Sequence, residues 1–527
     1  MYMIVVCFTL AVALWFLQGQ RSAIRQHGKR LPRPPGTLPF AGNGFWFLQP
    51  RHKLLDWFVG ANHQTGFSTF EISVPSLPPA VVISDPKNVE HVLKNNDIFI
   101  KGSFFRSRSW DLFGNGIINA DGELWKIQRK AGLRFFSNAN LKTFIDDALP
   151  PILDATERSL DHAADGHHVV DMQAIFIELT TRLMGKMAYD MDMPASLPFS
   201  QAFDFASGAI GDRFQNPFWR IKESILGAPL RRAFFEVKRF GNSIVSSAVG
   251  KRARPRIAGH QLVEEIHPLQ DNLINSLLDH ISDHQVVADA AMNYLSAGRD
   301  TTAQSLTWTL YLLLRHPRHQ DSLLEEIARV LPSASRSSSL HGITYDTVLP
   351  SSLPYAHSIF AETLRLYPPV PFELKECTVP TTFPDGTWLP EGSAVIWVPW
   401  AMGRSRRIWG DDSELFKPER WLGLSGSIVL QKSAFEFPVF NAGPRSCLGK
   451  KLAELLAVAV LARLIWKYDF SEVIENIEGG CGDGGERKSQ NSLTLPMEGG
   501  LPVRVKLREE AERQIRIKEQ TPDSSKV

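Results

Sequence analysis

Phe437-Pro-Val-Phe-Asn-Ala-Gly-Pro-Arg-Ser-Cys-Leu-Gly449 is the stretch on which the rest of the chain turns. Within it Phe440, Gly443, Arg445, Cys447 and Gly449 form the pattern F-x-x-G-x-R-x-C-x-G. A helical run ending LAVAVLARLIW starts near Leu448, so the cysteine falls at a helix N-terminus. There, backbone N–H groups and the helix dipole favour a thiolate, and a thiolate so placed can ligate heme iron. Gly443 and Gly449 carry no Cβ and allow backbone to approach a flat macrocycle. Arg445 offers a cation to a heme propionate, and Phe440 shields the sulfur from water. The competing reading is an inert buried cysteine in a Gly-Pro turn.

Working outward, the chain has 527 residues, 43% hydrophobic and 22% charged, which excludes disorder throughout and permits a large core. A net charge of +2 makes no case for nucleic acid as a partner. Cys7, Cys377 and Cys481 lack the surroundings of Cys447, and four cysteines cannot form a disulfide scaffold at this length. The expected fold is mainly α with a minor β-region, in a single large domain. Short strands are expected over 67–85 and over 370–398, the latter around the turn Phe383-Pro-Asp-Gly-Thr387. Helical periods dominate from Pro86 to about Tyr189, and one long apolar helix runs from about His284 to Pro317. Glu478–Ser489 reads as a Gly-rich surface loop.

The first segment, MYMIVVCFTLAVALWFL, has Thr9 as its one clearly polar side chain and Arg21, Arg25, Lys29, Arg30 and Arg33 behind it. A cleaved signal peptide would need a basic n-region and a small-x-small site, and neither occurs. Residues 1–18 therefore read as a transmembrane signal anchor, with the positive charge keeping the rest of the chain in the cytosol. A basic, proline-rich hinge is expected over 19–46, the main domain over 47–507, and a charged tail over 508–527. The location implied is the endoplasmic reticulum membrane, single-pass, with membrane lipid as a contact.

With Phe440 to Gly449 as its signature, the chain resembles the cytochrome P-450 superfamily of heme-thiolate monooxygenases, over about residues 30–507. The resemblance implies heme b held by Cys447 as metal ligand, with Phe440, Gly443, Arg445 and Gly449 around it. Glu362-Thr-Leu-Arg365, followed by Leu366-Tyr-Pro-Pro-Val-Pro371, matches the family's E-x-x-R helix and its exit. By resemblance Arg420 completes a buried, structural ion-pair triad with Glu362 and Arg365; on sequence alone the pair would be a solvated one. Ala297-Gly-Arg-Asp-Thr-Thr302 matches the oxygen-binding groove, where Asp300 and Thr301 would act as the catalytic proton-delivery residues. Local propensity agrees that this stretch is not there for helix stability, since Gly, Asp and Thr are poor mid-helix residues. Trp125 and Arg129 match W-x-x-x-R and would contact the propionates; Lys375 stands where many relatives have an arginine.

No G-x-G-x-x-G follows an expected strand, and the length leaves no room for a flavin reductase after residue 507. By resemblance, electrons come from a membrane-bound NADPH reductase, and Lys450 and Lys451 read equally as docking contacts or as solvated lysines. The co-substrate is O₂ and the substrate a hydrophobic small molecule, with pocket walls expected from Phe104–Phe113, Phe203–Trp219 and Val370–Leu374. Gly116–Trp125, Phe218–Lys222 and Ala401–Arg404 are similar to the fatty-acid and alkane hydroxylase clan of fungi and plants. The favoured role is a tailoring step in fungal specialised metabolism, with terminal hydroxylation of fatty acids or alkanes as the alternative. A peroxide-rearranging isomerase is disfavoured by Thr301, and a non-enzymatic heme or lipid carrier by Cys447.

Overall fold

Asp283 opens a helix of 32 residues, His284–Arg315, by accepting the N–H groups of Gln285 (2.8 Å) and Val286 (3.4 Å). Pro317 closes it, because a residue before proline is pushed out of the α region; His316 sits at φ −132°, ψ 70°. Every side chain from Thr302 to Leu313 is buried, as is every one from Leu455 to Trp466 in the helix Lys450–Lys467. Helices buried all round belong at the centre of a fold. The two pack on each other, and helices Met172–Met184, Ala228–Ala253 and Pro354–Leu366 pack on the long one. The computed structural model describes Thr9 and residues 24–508, apart from 40, 76, 254–271, 331–342, 424–425, 429–431 and 475–485.

Among the described residues the minor β-region is three small sheets. Strands β2 (Phe70–Ile72), β3 (Ala80–Val82), β4 (Phe99–Ile100), β6 (Glu373–Cys377) and β9 (Ala394–Trp397) make one of order β2-β3-β9-β6-β4. Its pairs are antiparallel except β3 with β9, where Val81 lies opposite Val395. Strands β1 (Arg25–Gln26), β7 (Thr381–Thr382) and β8 (Thr387–Leu389) form the second. Strands β5 (Val169–Asp171), β10 (Tyr468–Glu472) and β11 (Pro502–Leu507) form the third. The expected strand regions, the long helix and the final helix all stand where the sequence places them.

The ends differ from expectation. Residues 19–46 are not all hinge: Ile24 is fully buried, Arg25 pairs with Trp388, and Leu31 is buried beside Pro32, whose carbonyl accepts the Glu71 N–H at 3.0 Å. The apolar side chains of this stretch find a sheet to cover, so the packed body takes in Ile24 and Leu31, ahead of the boundary expected at residue 47. At the other end Arg508, assigned to the tail, is buried and donates to the carbonyls of Ile465 (3.1 Å) and Tyr468 (2.7 Å). Ser489, placed in a surface loop, is buried and bridges Met497. The span expected over 1–18 lies outside the described residues except for Thr9, and residues 509–527 and 478–485 lie outside them as well. Among the described residues no helix is long and apolar enough to cross a membrane.

Candidate functional site

Cys447 lies just ahead of the helix Lys450–Lys467, whose N-cap is Gly449. Its N–H donates to the Phe440 carbonyl at 2.8 Å and closes the turn on itself. The thiol accepts the N–H groups of Gly449 and Lys450, and Arg129 adds positive charge; burial outweighs all three and pushes the thiol up. The residue's solvent exposure is exposure to an internal cavity of about 490 Å³ that its sulfur helps to line. The Phe440 ring also lines that cavity, with the Lys450 ammonium 5.6 Å from its centroid.

The two glycines have different reasons to be there. Gly443 does not reach the cavity: it has φ +64°, and a Cβ there would sit 2.3 Å from the Leu93 carbonyl oxygen. What constrains it here is the turn and its packing on the helix Pro86–Lys94. Gly449 does line the cavity, and a Cβ there would meet Phe136 at 3.7 Å and the Cys447 sulfur at 4.0 Å, ordinary contact distances. Of the two glycines, Gly449 is the one that faces the space beside the sulfur.

Four cations gather beside this turn. The Arg129 guanidinium donates to the Ser446 carbonyl (2.7 Å) and hydroxyl (3.2 Å) and lies 5.6 Å from the Trp125 ring centre. Arg445 lies 4.6 Å from that ring centre and is held by Asp121 (2.5 Å) and Asn96 (2.6 Å). Lys101 pairs with Glu373 at 3.3 Å. Lys375 is 4% exposed, and burial together with Lys101 and Arg445 pulls its ammonium well below the usual lysine range. Among the described residues neither Arg129 nor Lys375 has a carboxylate partner, a costly arrangement unless an anion joins them. Heme b carries a propionate for each of them. The donor set, the orphaned Lys375 and the sulfur facing the same cavity fit that group, and Arg445, expected on a propionate, is turned toward Asp121.

The opposite wall comes from the middle of the long helix. Thr301 Oγ1 donates to the Ala297 carbonyl at 2.6 Å, which leaves its lone pairs toward the cavity. Asp300 lines the cavity too, but Arg299 Nη1 holds its carboxylate at 2.5 Å and holds Asp204 of the helix Pro198–Gln215 at 2.7 Å. Burial pushes the Asp300 carboxyl up to about 6 against the pull of Arg299. Sequence reasoning assigns Asp300 to proton relay alone and passes over Arg299, although a cation inside an otherwise apolar helix is itself a signal. Gly298 has a packing reason: a Cβ there would lie 2.5 Å from the Met184 sulfur. The remaining walls include Phe104, Phe113, Phe203, Phe214, Val370 and Phe372, from the three segments expected to supply them.

Behind the cavity the helix Pro354–Leu366 turns Phe360 and Leu364 inward and Glu362 and Arg365, both fully buried, outward. Arg365 meets the Glu362 carboxylate twice, at 2.8 and 2.7 Å. Its other N–H groups go to the carbonyls of Gly403, Ser413 and Leu415, so its whole donor fork is used. Arg420 Nε (2.8 Å), the Lys417 N–H (2.9 Å) and Trp421 Nε1 (2.9 Å) complete the shell around Glu362. Glu362, Arg365 and Arg420 thus form one ion-paired cluster, which the Lys417 backbone and the Trp421 ring join.

Comparison with known proteins points the same way. Residues 32–478 match the cytochrome P450 family. The chain is 30% identical over 490 residues to cytochrome P450 monooxygenase cyp1 of Mycosarcoma maydis, covering 90% of this chain and 75% of that protein. It is 29% identical over 502 residues to cytochrome P450 94A1 of Vicia sativa, 90% of this chain and 91% of that one. With cytochrome P450 704C1 of Pinus taeda it shares 30% identity over 544 residues, 96% of this chain and 97% of that one.

Proposed function

Since the chain belongs to the cytochrome P450 family and is a heme-thiolate monooxygenase, we propose that it hydroxylates an apolar molecule that enters from a membrane surface. Family members take O₂ and electrons from a redox partner and act on hydrophobic substrates. The observation that carries the reading is that the Cys447 sulfur, the Thr301 turn and an aromatic wall share one cavity. Bound heme would supply O₂ activation, with one oxygen atom entering a C–H bond and the other leaving as water at the expense of two electrons and two protons.

The chain's own groups do the rest. Cys447 provides the sulfur ligand, and the Gly449 and Lys450 N–H groups steady its negative charge. Arg129 and Lys375 take the propionates, with Trp125 and Arg445 packed beside them. The Thr301 hydroxyl, its own proton given to the Ala297 carbonyl, offers acceptor lone pairs to the cavity and would hold a proton-bearing group in place there, while the phenylalanine walls exclude bulk water. Thr301→Ala is expected to retain heme and substrate binding but to divert reducing equivalents to hydrogen peroxide. NADPH consumed, peroxide released and product formed are the quantities to compare, and unchanged coupling counts against Thr301.

A membrane-bound NADPH reductase is the proposed electron donor. Lys451 is engaged by Asn138 (2.9 Å) and Tyr345 (2.7 Å), and Lys450 lies over Phe440, which gives neither a special claim to docking. Phe218, Ile221, Ile225 and Leu226, on and beside the helix Trp219–Leu226, are exposed apolar side chains, as are Leu38, Phe45 and Leu48. Gln215, at the cavity wall, donates to the Gln49 carbonyl and brings the two groups to one rim. That rim supports attachment to the endoplasmic reticulum membrane with the body in the cytosol. Deleting residues 1–23, and so sparing Ile24, is expected to leave part of the holoenzyme on membranes. Adding Ile221→Asp and Ile225→Asp should release it; a double variant that still sediments fully with membranes rules this rim out.

Both substrates drawn from the sequence, a fungal specialised metabolite and a fatty acid or alkane, suit apolar walls. One wall residue, Arg51, favours chain-end hydroxylation. Reconstitution with an NADPH reductase under ¹⁸O₂ tests the reaction itself: one labelled oxygen in the product is expected, and its absence overturns the assignment.

A further inference from the structure

Arg51 opens the helix Arg51–Gln64 with Pro50 before it and no acidic residue in the first turn. A cation is unfavourable there, since the helix dipole already makes that end positive. The side chain is 7% exposed and lines the cavity. Nη1 donates to the Ser492 carbonyl (2.7 Å) and to Asn491 Oδ1 (3.3 Å), and the guanidinium lies 5.0 Å from the Phe372 ring centre. Its Nε is buried with no acceptor, and among the described residues no carboxylate pairs with it. Burial pulls it down to about 10. The buried charge is therefore left with neutral partners at the wrong end of a helix, a combination that destabilises the empty protein.

The surroundings are polar on one side and apolar on the other. The Ser492 and Ser207 hydroxyls meet at 2.9 Å on the cavity wall, and Gln215 Oε1 there is buried without a partner. Leu54, Phe58, Leu77 and Phe214 supply the apolar part. Arg51 is not needed for the heme propionates, which have Arg129 and Lys375.

We propose that Arg51 is a specificity-determining residue that binds the carboxylate of an amphiphilic substrate, with the apolar chain lying along the cavity toward Cys447 and Thr301. The inference rests on the monooxygenase reading above. It sets which end reacts: a C–H bond remote from the carboxylate breaks, a C–O bond forms with one atom of O₂, and the hydrogen returns as the hydroxyl hydrogen. The second oxygen atom leaves as water, with two electrons from the reductase and two protons.

The test uses the full-length holoenzyme and the low-to-high-spin shift on adding dodecanoic acid, methyl dodecanoate or dodecan-1-ol. The acid is expected to bind about tenfold or more tighter than the ester in the natural protein, the scale of hydrogen bonds to a charged group. Arg51→Leu should erase that preference by weakening acid binding alone, and Arg51→Lys should restore part of it. Equal binding of acid and ester by the natural protein overturns the proposal without needing any variant. Loss of heme from Arg51→Leu, measured as the pyridine hemochrome, overturns it in favour of a propionate contact. A natural protein with no red-shifted reduced carbon-monoxide band fails at the earlier step, the heme-thiolate site itself, and takes this proposal with it.

Discussion

Cys447→Ser is expected to abolish the red-shifted Soret band of the reduced carbon-monoxide complex and all turnover. The sulfur is the one soft donor facing the cavity at this turn, and the Gly449 and Lys450 N–H groups aim at it. A serine hydroxyl keeps the size and the hydrogen bonds but is a far poorer anion than a thiol, so the electron push that favours O–O cleavage is lost. Heme itself should be retained in part, because Arg129, Lys375 and the apolar walls remain. That separates loss of the ligand from loss of the fold. Persistence of the band at natural intensity removes Cys447 from its role.

Glu362→Ala should have the largest effect on stability. Its carboxylate answers Arg365, Arg420, Trp421 and the Lys417 backbone at once, and it is fully buried. Removing it leaves the Arg365 charge buried beside carbonyls, and Arg420 keeps only Asp412, at 3.2 Å. Breaking a buried pair from one side costs about 3–5 kcal/mol, a large fraction of a typical domain's stability. The expected result is little soluble, heme-containing protein and a lowered denaturation midpoint. Glu362→Gln, which keeps the shape but not the charge, should fall between. A variant with the natural midpoint would show that the triad is not what holds this side of the cavity.

How far the site is legible in the sequence depends on where its partners lie. Cys447, Gly449 and the Glu362–Arg365 pair are close in sequence, so their geometry is written in their spacing. Arg420 and Thr301 are reachable because each sits in a local pattern, one in a Phe-Lys-Pro-Glu-Arg-Trp turn and the other in a helix that breaks propensity rules. Arg51 carries no pattern: what distinguishes it is the acid that is not beside it, and only the folded chain reveals that. Gly443 reads as a residue of the cavity, yet its constraint is a carbonyl of Leu93, far off in the chain. The boundary at residue 47 fails for the related reason that the prolines of 32–35 suggest an extended connector, whereas Ile24 and Leu31 answer to a sheet built mostly by later residues.

Arg299 ties the helix Pro198–Gln215, which supplies Phe203, Ser207 and Phe214 to the cavity wall, to the carboxyl beside Thr301. The Asp204 charge raises the proton affinity of Asp300, and the linkage is reciprocal: a proton on Asp300 leaves the Arg299 guanidinium to Asp204 alone. The roof helix and the carboxyl beside Thr301 thus compete for one cation, and the roof's hold on it is strongest when that carboxyl is neutral.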